Sequence, residues 1–313
     1  MDFLEFKKKY QKAEVTAFPN QVAKTPLISV LLQTYNQEDY IEQCLDAILD
    51  QQTDFDIEIL LGEDDSTDKT REICLKYAEK FPDRIRLFLH QPANKIKVLN
   101  IPTGNFNAIN NLYQAKGEYI AFCEGDDYWT DQHKLQKQVD FLKAKPDFVL
   151  SYHQFEEKYE TQSGKENRIS LEQPAKELTK EELSRLVYHP LLSTVCFRNC
   201  LRDLPEEMIQ VINVDSFILS MLGTFGKAKF QPEIRASVYR RHSGGIWTKK
   251  NREIQLRTKI LLFKNLVSYY NNKDKSLTRS FQKDLKNTNK MLFALYLKDF
   301  KPFKAAKLLP ALL

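Results

Sequence analysis

The chain has 313 residues, of which 42% are hydrophobic and 28% are charged, and its formal net charge is +5. This length and composition are typical of a globular protein with one substantial core. The sequence contains no run of about 18 apolar residues, and residues 1–7 lack the basic start and apolar middle of a secretion signal. We therefore expect neither a membrane-spanning helix nor secretion, and we predict a cytoplasmic location.

The charge is unevenly distributed along the chain. From Lys250 onwards there are 15 basic and 4 acidic residues, a net charge of +11, whereas the preceding part has a net charge of −6. Apolar and aromatic residues recur in the basic segment at helical spacing. Such a segment can lie on an anionic membrane surface, here the inner face of the cell membrane, or it can pack against the rest of the protein, and both interpretations stay open. Nucleic-acid binding is not expected, because no nucleic-acid-binding motif accompanies the charge.

Strand and helix patterns alternate between residue 27 and about residue 152. The predicted strands are apolar runs, and the predicted helices repeat apolar residues every three or four positions. Strands are predicted at 27–32, 57–61, 84–89, 119–123 and 148–152, and helices at 40–49, from about 67, at 105–115 and from 130. This alternation favours right-handed βαβ units. The predicted fold class is α/β, with a mostly parallel, Rossmann-like sheet, helices on both faces and a C-terminal helical extension.

The remaining segments are less regular. Loops are predicted at 91–103 and 156–176, helices from 179 and at 214–222, and one strand at 228–239. The second loop is a candidate lid. The predicted division of the chain is a helical or linker segment at 1–24, a main domain at 25–245 and a basic amphipathic helical extension at 246–313.

Two acidic clusters each follow a predicted strand. Residues 63–65 read Glu-Asp-Asp, and residues 124–127 read Glu-Gly-Asp-Asp. In open α/β sheets ligands bind beyond the carboxyl ends of the strands. Carboxylates crowded there resist ionising together unless a cation relieves them, as a divalent metal carrying a phosphate would do. Each cluster alone could instead cap the helix that follows it.

Several other chemistries lack their sequence motifs. There is no Gly-x-x-x-x-Gly-Lys-Ser/Thr loop, no Gly-x-Gly-x-x-Gly turn after the first strand and no Gly-x-Ser-x-Gly elbow. A calcium loop starting at Asp64 fails, because Lys69 stands where that loop requires glycine. Kinase-like, dinucleotide-dependent and serine hydrolase functions therefore lose their usual support.

The ordered motifs of the chain resemble those of family 2 glycosyltransferases. The motifs are Ile-Ser-Val-Leu-Leu-Gln-Thr-Tyr-Asn at 28–36, Gly-Glu-Asp-Asp-Ser-Thr-Asp-Lys-Thr at 62–70 and Gly-Glu-Tyr-Ile-Ala-Phe-Cys-Glu-Gly-Asp-Asp-Tyr-Trp at 117–129. The resemblance extends over about residues 25–245. It implies the GT-A fold, a nucleotide-sugar donor, a Mn²⁺ or Mg²⁺ ion and inversion at the anomeric carbon, as in enzymes of bacterial surface-polysaccharide synthesis.

The resemblance also implies roles for individual residues. Asp126 matches the metal-binding residue of the family's DxD element, which has the variant form Glu124-Gly125-Asp126, and Asp215 lies where the family keeps its catalytic base. The implied donor-binding residues, with Tyr35 stacking on the base and Asp64 bonding its edge, are Gln33, Thr34, Tyr35, Asn36, Glu63, Asp64, Glu124, Gly125, Asp126, Arg240 and His242.

Two tryptophans are candidates for contact with the acceptor. Sugar faces stack on aromatic rings, and both Trp129 and Trp247 follow motif residues of the main domain. Trp also packs readily in protein cores, so each has a structural alternative.

The chemistry of sugar transfer gives these positions a purpose. The transition state is oxocarbenium-like, so a metal ion would neutralise the departing diphosphate while one carboxylate takes the proton of the acceptor hydroxyl. A single base without an enzyme nucleophile leads to inversion. The predicted function is transfer from a UDP-sugar, ahead of a dTDP- or GDP-sugar, to a hydroxyl of a glycan or lipid-linked glycan. The alternative is a non-catalytic nucleotide-sugar or glycan-binding module, which the variant Glu124-Gly125-Asp126 element favours.

Overall fold

The computed structural model describes residues 1–160, 166–170, 176–242 and 251–311. Its strands are β1 (Thr16–Ala17), β2 (Ile28–Thr34), β3 (Ile57–Glu63), β4 (Ile85–Leu89), β5 (Ile96–Val98), β6 (Ile101–Thr103), β7 (Tyr119–Phe122), β8 (Phe148–Tyr152), β9 (Phe155–Glu160), β10 (Glu166–Ser170), β11 (Cys196–Arg198), β12 (Lys227–Phe230) and β13 (Ser237–Arg241). Its α-helices are α1 (Phe3–Tyr10), α2 (Ile41–Leu49), α3 (Thr70–Lys80), α4 (Asn105–Gln114), α5 (Lys134–Ala144), α6 (Lys180–Ser184), α7 (Glu206–Ile209), α8 (Val214–Gly223), α9 (Arg252–Tyr270), α10 (Lys275–Lys298) and α11 (Pro302–Ala306).

The main sheet has eight strands in the order β1-β4-β3-β2-β7-β11-β8-β12. Strands β4, β3, β2 and β7 are mutually parallel, and β12 is parallel to β8. Strand β11 lies antiparallel between β7 and β8, and β1 is antiparallel along β4. A smaller sheet has the order β10-β9-β13, and β5 pairs with β6 in a hairpin. The predicted mostly parallel α/β sheet is confirmed.

Each face of the main sheet packs against its own set of helices. Alternate residues of a strand point to opposite faces, so Leu31 of β2 belongs to one core cluster while Val30 and Leu32 belong to the other. The first cluster is completed by apolar residues of α4, α7, α8, α9 and α10. The second is completed by those of α2, α3 and α5. Apolar side chains on both faces explain why the strands read as continuous apolar runs.

The C-terminal helices share the core of the main sheet only in part. Leu266 and Tyr270 of α9 and Phe281 of α10 lie in the same cluster as Phe217 of α8. Further from the sheet, α9, α10 and α11 form a separate small cluster around Leu256, Leu292, Tyr296 and Ala305. This packing supports the structural interpretation for the inner part of the extension. No helix in the described part of the chain is long and apolar enough to cross a bilayer.

Three sequence-based assignments of secondary structure are wrong. Residues 91–103, expected to be a loop, contain the β5–β6 hairpin. Residues 156–176, expected to be a loop or lid, contain most of β9 and all of β10, so most of the described residues in this range are extended. Strands β9 and β10 escaped prediction because their polar residues show no apolar alternation. Residues 228–239 form two strands in different sheets, β12 against β8 and β13 against β9, separated by a turn that contains Pro232. The division of the chain at residue 245 stays a prediction, because residues 243–250 lie outside the described part.

A buried ion pair joins β3 and β4 near the amino end of the parallel strands. The carboxylate of Glu58 is fully buried and lies 2.8 Å from Nη1 of Arg86. It also accepts hydrogen bonds from Oγ of Ser29 (2.6 Å) and from the N–H of Lys116 (2.7 Å). Because the carboxylate is fully buried, it depends on these donors for its charge compensation.

We predict that Arg86→Met lowers the free energy of unfolding by about 3 kcal/mol, because it leaves a buried carboxylate without its cation. Urea denaturation measures this change. The double variant Glu58→Gln/Arg86→Met should recover part of the loss, and Lys76→Met, at an exposed position of α3, should change stability by less than about 0.5 kcal/mol. An Arg86→Met protein as stable as the Lys76→Met control would contradict this interpretation.

Candidate active site

The carboxyl ends of β2, β3 and β7 meet at one edge of the sheet, and backbone hydrogen bonds join the segments that follow them. The N–H of Asp64 donates to the C=O of Thr34 (3.1 Å), and the N–H of Gly125 donates to the C=O of Gln33 (3.3 Å). Strand β2 lies between β3 and β7. The last two residues of β2 therefore connect the two acidic clusters, which lie on either side of a single strand end.

Gly125 is the point of closest approach between the segments after β7 and β2. A Cβ at this position would lie 2.3 Å from Oε1 of Gln37 and 3.1 Å from Cβ of Thr34. The Gln37 oxygen is fixed in place, because it accepts a hydrogen bond of 2.7 Å from Oγ1 of Thr34. The middle position of the variant acidic element thus has a structural reason to be glycine.

Tyr35 forms the exposed part of the cleft on the β3 side. Its side chain is 46% exposed. Nζ of Lys95 lies 3.6 Å from the centroid of the Tyr35 ring and 3.6 Å from Oδ2 of Asp64. An ammonium group over an aromatic face is held by the ring quadrupole. Lys95 therefore covers one face of the ring, and a nucleobase that stacks on that face has to displace it.

Asp64 titrates far from its ordinary range. Burial raises the pKa of Asp64 from 3.8 to about 7, although the positive charge of Lys95 opposes the shift. The negative charges of Glu63 and Asp65 add to the increase. A carboxyl group that exchanges its proton near neutral pH can act as a donor or an acceptor toward the edge of a ring.

Two of the predicted donor-binding residues are occupied in joining the loops. Asn36, with φ of 50°, donates its N–H to Oγ of Ser66 (3.0 Å) and accepts at Oδ1 from the N–H of Thr67 (2.8 Å). The fully buried carboxylate of Glu63 accepts from the N–H of Ser66 and from Nε of Arg71. Glu63 is therefore sequestered, and it acts on the cleft by holding the loop that carries Asp64.

On the β7 side, Asp126 lies beside a histidine from the end of the main domain. Oδ2 of Asp126 and Nε2 of His242 are 3.0 Å apart. The His242 ring also packs against Tyr40, with a centroid distance of 4.8 Å. The carboxylate is partly exposed while the imidazole is largely covered. The pair brings an oxygen and a nitrogen ligand to one point of the cleft.

Neighbouring negative charges act on Glu124 and Asp127 at this point. Burial, followed by the negative charges of Asp126 and Asp215, raises the pKa of Glu124 to about 8. Burial and the charges of Asp126 and Glu124 also raise the pKa of the fully buried Asp127. Asp215, from a distant part of the sequence, is therefore close enough to act on the acidic element after β7.

Arg240 contacts the acidic element after β7 from the protein interior. Only 5% of the residue is exposed. Its guanidinium donates to the C=O of Asp126 and to Oε1 of Gln43, and its N–H donates to Oδ1 of Asp127 (3.1 Å). The rings of Tyr40 and Tyr128 lie near the guanidinium as well. These contacts make Arg240 a residue that orients the loop, and its burial argues against the predicted direct contact with the donor.

Asp215 lies in the first turn of α8, where the helix dipole favours a negative charge. Nε2 of His189 lies 3.4 Å from Oδ2 of Asp215 and 2.9 Å from Oγ of Ser216. The side chains of Asp215 and His189 are both partly exposed. His189 therefore lies beside the Asp215 carboxylate, while its hydrogen-bond partner is the hydroxyl of Ser216.

Of the two tryptophans predicted to contact the acceptor, the structure describes Trp129 but not Trp247. Trp129 is 4% exposed, and its Nε1–H donates to the C=O of Ser193 (2.8 Å) while Nζ of Lys134 lies 4.1 Å from its ring. These contacts favour the structural alternative for Trp129, because the ring is buried and its N–H is already bonded within the protein. Trp247 lies outside the described residues.

Lys95 and His189 are the site residues that the sequence analysis missed. Lys95 lies in a segment assigned to a loop, and His189 precedes Pro190 in an irregular stretch. Neither belongs to a motif or to a periodic pattern. The signals near Lys95 in the sequence were Pro92 and Pro102, which bound the loop predicted at 91–103.

Comparison with known proteins identifies the family. The model of glycosyl transferase family 2 matches residues 29–202. This match spans more than half of the chain, and it includes the acidic clusters after β3 and β7. The chain belongs to glycosyl transferase family 2, as the motifs predicted, and the predicted enzyme class agrees with this family.

Relatives with curated sequences support the assignment. An uncharacterised protein of Mycobacterium tuberculosis is 34% identical over 221 residues, which cover 70% of this chain and 60% of the relative. The chain thus spans about 60% of the length of this relative. A putative teichuronic acid biosynthesis glycosyltransferase of Bacillus subtilis, TuaG, is 36% identical over 118 residues, or 37% of this chain and 42% of TuaG.

Solved structures share the fold. The structure of S. aureus TarS in complex with UDP superimposes with a TM-score of 0.55 and 17% identity, covering 83% of this chain and 70% of that one. The mannosyltransferase PcManGT of Pyrobaculum calidifontis, in complex with GDP-Man and Mn²⁺, gives a TM-score of 0.53 at 17% identity and covers 94% and 82% of the two chains. The predicted GT-A fold is confirmed.

We predict that Asp64→Asn stabilises the protein increasingly as the pH rises from about 4 to about 7. The folded-state pKa of Asp64 is raised above its unfolded value, so ionisation costs stability between 3.8 and about 7. In this range the difference in unfolding free energy between variant and wild type should grow by about 1 kcal/mol per pH unit and then level off. Urea denaturation at a series of pH values measures it. Asp83→Asn, at an exposed loop position, is the control, and equal pH profiles for the two variants would refute the shift.

Proposed function

We propose that the protein is an inverting glycosyltransferase that moves a sugar from a nucleotide-diphosphate sugar, with a UDP-sugar as the favoured donor, to a hydroxyl of a glycan or lipid-linked glycan. The observation that carries this proposal is the acidic element Glu124-Gly125-Asp126 at the carboxyl edge of the sheet, where Oδ2 of Asp126 lies 3.0 Å from Nε2 of His242 and the charge of Asp215 helps to raise the pKa of Glu124. The family supports a nucleotide-sugar donor, and the related structures include complexes with UDP, UDP-GlcNAc and GDP-Man.

In this proposal the nucleotide extends across the end of β2. The base stacks on Tyr35 after Lys95 moves aside, and Asp64 bonds to the edge of the base. Gln33 and Thr34 contribute backbone groups between the two sides of the cleft. The diphosphate then reaches Asp126 and His242, so that the sugar lies between the acidic element and Asp215.

Asp215 is the proposed catalytic base. Sugar transfer passes through an oxocarbenium-like transition state, so the incoming hydroxyl has to lose its proton as it attacks. Asp215 accepts this proton on the face of the sugar opposite to the leaving diphosphate. His189, 3.4 Å from the Asp215 carboxylate, holds it in position. With one base and no enzyme nucleophile, the anomeric configuration is inverted.

The residues of the cleft are suited to a divalent cation shared with the donor. Among the described residues no group of three or more His, Cys, Asp and Glu side chains forms a complete metal cage. Mg²⁺ and Mn²⁺ in phosphate-transfer sites are held by one or two protein ligands, and substrate phosphates supply others. Asp126 and His242 would hold the ion, and when bound it would neutralise charge on the departing diphosphate. The raised pKa of Glu124 fits a cleft that gains stability from a cation.

The predicted contact with an anionic membrane surface rests on the end of the C-terminal extension. Phe300 and Phe303 are 92% and 87% exposed, and Lys301 and Lys304 lie among them in the sequence. Aromatic residues next to basic residues are typical of interfacial segments. We propose that this turn between α10 and α11 contacts the inner face of the cell membrane, where a lipid-linked acceptor would be available.

We predict that Asp215→Asn lowers kcat for transfer by about 10²- to 10⁴-fold while the Kd of the donor is unchanged, because a general base is lost but no donor contact is. Transfer and donor hydrolysis with a panel of nucleotide sugars and Mn²⁺ provide the measurement. Asp203→Asn, at an exposed loop position, is the matched control. Near-normal turnover by Asp215→Asn would exclude it as the base, and a wild-type protein that binds donors without turnover would favour the non-catalytic alternative.

For the metal, we predict that UDP raises the Tm more in the presence of Mn²⁺ than in EDTA, and that Asp126→Asn removes this extra increase. The variant loses a charged ligand but keeps the contacts to the base, so the shift caused by UDP alone should remain. Differential scanning fluorimetry records both shifts. Transfer that is insensitive to EDTA and to Asp126→Asn would rule out the metal role.

For the membrane contact, we predict that Phe300→Ser/Phe303→Ser weakens binding to vesicles containing phosphatidylglycerol, because two exposed rings can no longer insert. Co-sedimentation with the vesicles measures the bound fraction. Phe225→Ser, which removes a 52% exposed ring outside the extension, is the control. Unchanged partitioning of the double variant would refute the contact.

A further inference from the structure

A large cavity lies away from the acidic cleft, among the C-terminal helices. It has a volume of about 700 Å³ and is bounded by α9, α10, α11 and the tip of the β5–β6 hairpin. This volume is within the range of small-molecule binding pockets. Its apolar lining includes Ile260, Leu285, Leu292 and Leu308. The cavity is therefore suited to a hydrocarbon chain.

The border of this cavity, called the groove below, is strongly basic. The described residues that line it include five cationic side chains and no acidic one; the cations are Arg257, Lys264, Lys286, Lys304 and Lys307. Glu253, which lies nearby, is already engaged by Lys301, Lys304 and the hydroxyl of Tyr296. Within the described part of the chain, no ion pair involves Arg257, Lys264 or Lys307. The positive charge of the groove therefore favours an anionic ligand.

Leu99 closes one side of the groove in an unusual conformation. It occupies the two-residue turn of the β5–β6 hairpin with Asn100, and the φ values of the two residues are 53° and 63°. Asn tolerates this left-handed region, whereas Leu does not favour it. The fold accepts this strain at a position where the Leu99 side chain, 38% exposed, lines the groove.

We propose that the groove binds an anionic phospholipid, with one acyl chain against the apolar lining and the phosphate among the basic side chains. The apolar interior and the cationic border match the two parts of such a lipid. This inference deepens the proposed membrane contact, on which it rests, by assigning a site for a single lipid. The hairpin that carries Leu99 begins just after Lys95, so one short segment connects the lipid site with the base-binding end of the cleft.

The proposal is tested with monomeric lipid, so that binding does not depend on a bilayer or on sugar transfer. Isothermal titration calorimetry is performed with dihexanoyl phosphatidylglycerol below its micellar concentration, with dihexanoyl phosphatidylcholine, and with glycerol phosphate. We expect saturable binding of the first lipid, binding of the second that is weaker by at least about tenfold, and no binding of glycerol phosphate. Equal affinity for the two lipids, or no binding of phosphatidylglycerol, would overturn the proposal.

Matched variants separate the groove from general surface charge. Lys264→Gln/Lys307→Gln should weaken binding by at least about tenfold, whereas Lys259→Gln/Lys290→Gln, which removes the same charge from exposed positions outside the groove, should not. Equal losses in both variants would mean that the basic surface, not the groove, attracts the lipid.

Leu99→Gly removes an apolar side chain from the lining of the groove and should leave the fold intact. Glycine adopts the left-handed conformation freely, so Tm should not fall, while lipid binding weakens several-fold. Asn100→Gly relaxes the same turn and leaves the groove intact, so it should bind as the wild type does. Phe300→Ser/Phe303→Ser, outside the groove, should bind monomeric lipid normally even if it no longer binds vesicles. A wild type that sediments as a dimer and binds no lipid would identify a second copy as the occupant and contradict the proposal.

Discussion

Repulsion among carboxylates in a partly buried cleft is the constraint on which the rest of the site depends. Glu124 and Asp126 belong to the element after β7, whereas Asp215 belongs to α8, and the negative charges of Asp126 and Asp215 help to raise the pKa of Glu124. A protein accepts such an arrangement when a ligand relieves it. In the proposed function, a cation that arrives with a diphosphate would relieve this repulsion and stabilise the acidic element.

Buried neighbouring residues hold this arrangement in place. Gly125 lets the acidic loop approach Gln37, and Arg240 and Asp127 fix its backbone from the protein interior. On the opposite side, Glu63 and Arg71 anchor the loop of Asp64. The chain thus contains two classes of charged residue at the sheet edge. Those in the first class, Asp64 and Asp126, lie beside Lys95 and His242 at the cleft, and those in the second are buried inside the protein and hold the first in place.

The sequence predicted the parallel sheet and the position of the acidic clusters, because buried strands and their ends leave a strong apolar pattern. It could not separate the acids that line the cleft from those paired inside the protein. Glu63 and Asp64 are adjacent, yet Glu63 is paired with Arg71 while Asp64 faces the cleft, and this difference depends on tertiary contacts. The polar strands β9 and β10 and the contribution of Lys95 escaped for the same reason. The basic charge of the C-terminal segment was visible in the sequence, but its division into an inner packed part and an outer groove was not.

In the proposed function, Asp126 and His242 would hold a divalent cation that a nucleoside diphosphate shares. Anomalous scattering at the manganese edge, from crystals grown with UDP and Mn²⁺, would locate this cation. We expect one strong peak in contact with the Asp126 carboxylate and the UDP phosphates, on the side of the cleft that faces Asp215. UDP bound across the end of β2 with no manganese peak at Asp126, or with manganese elsewhere, would contradict this proposal.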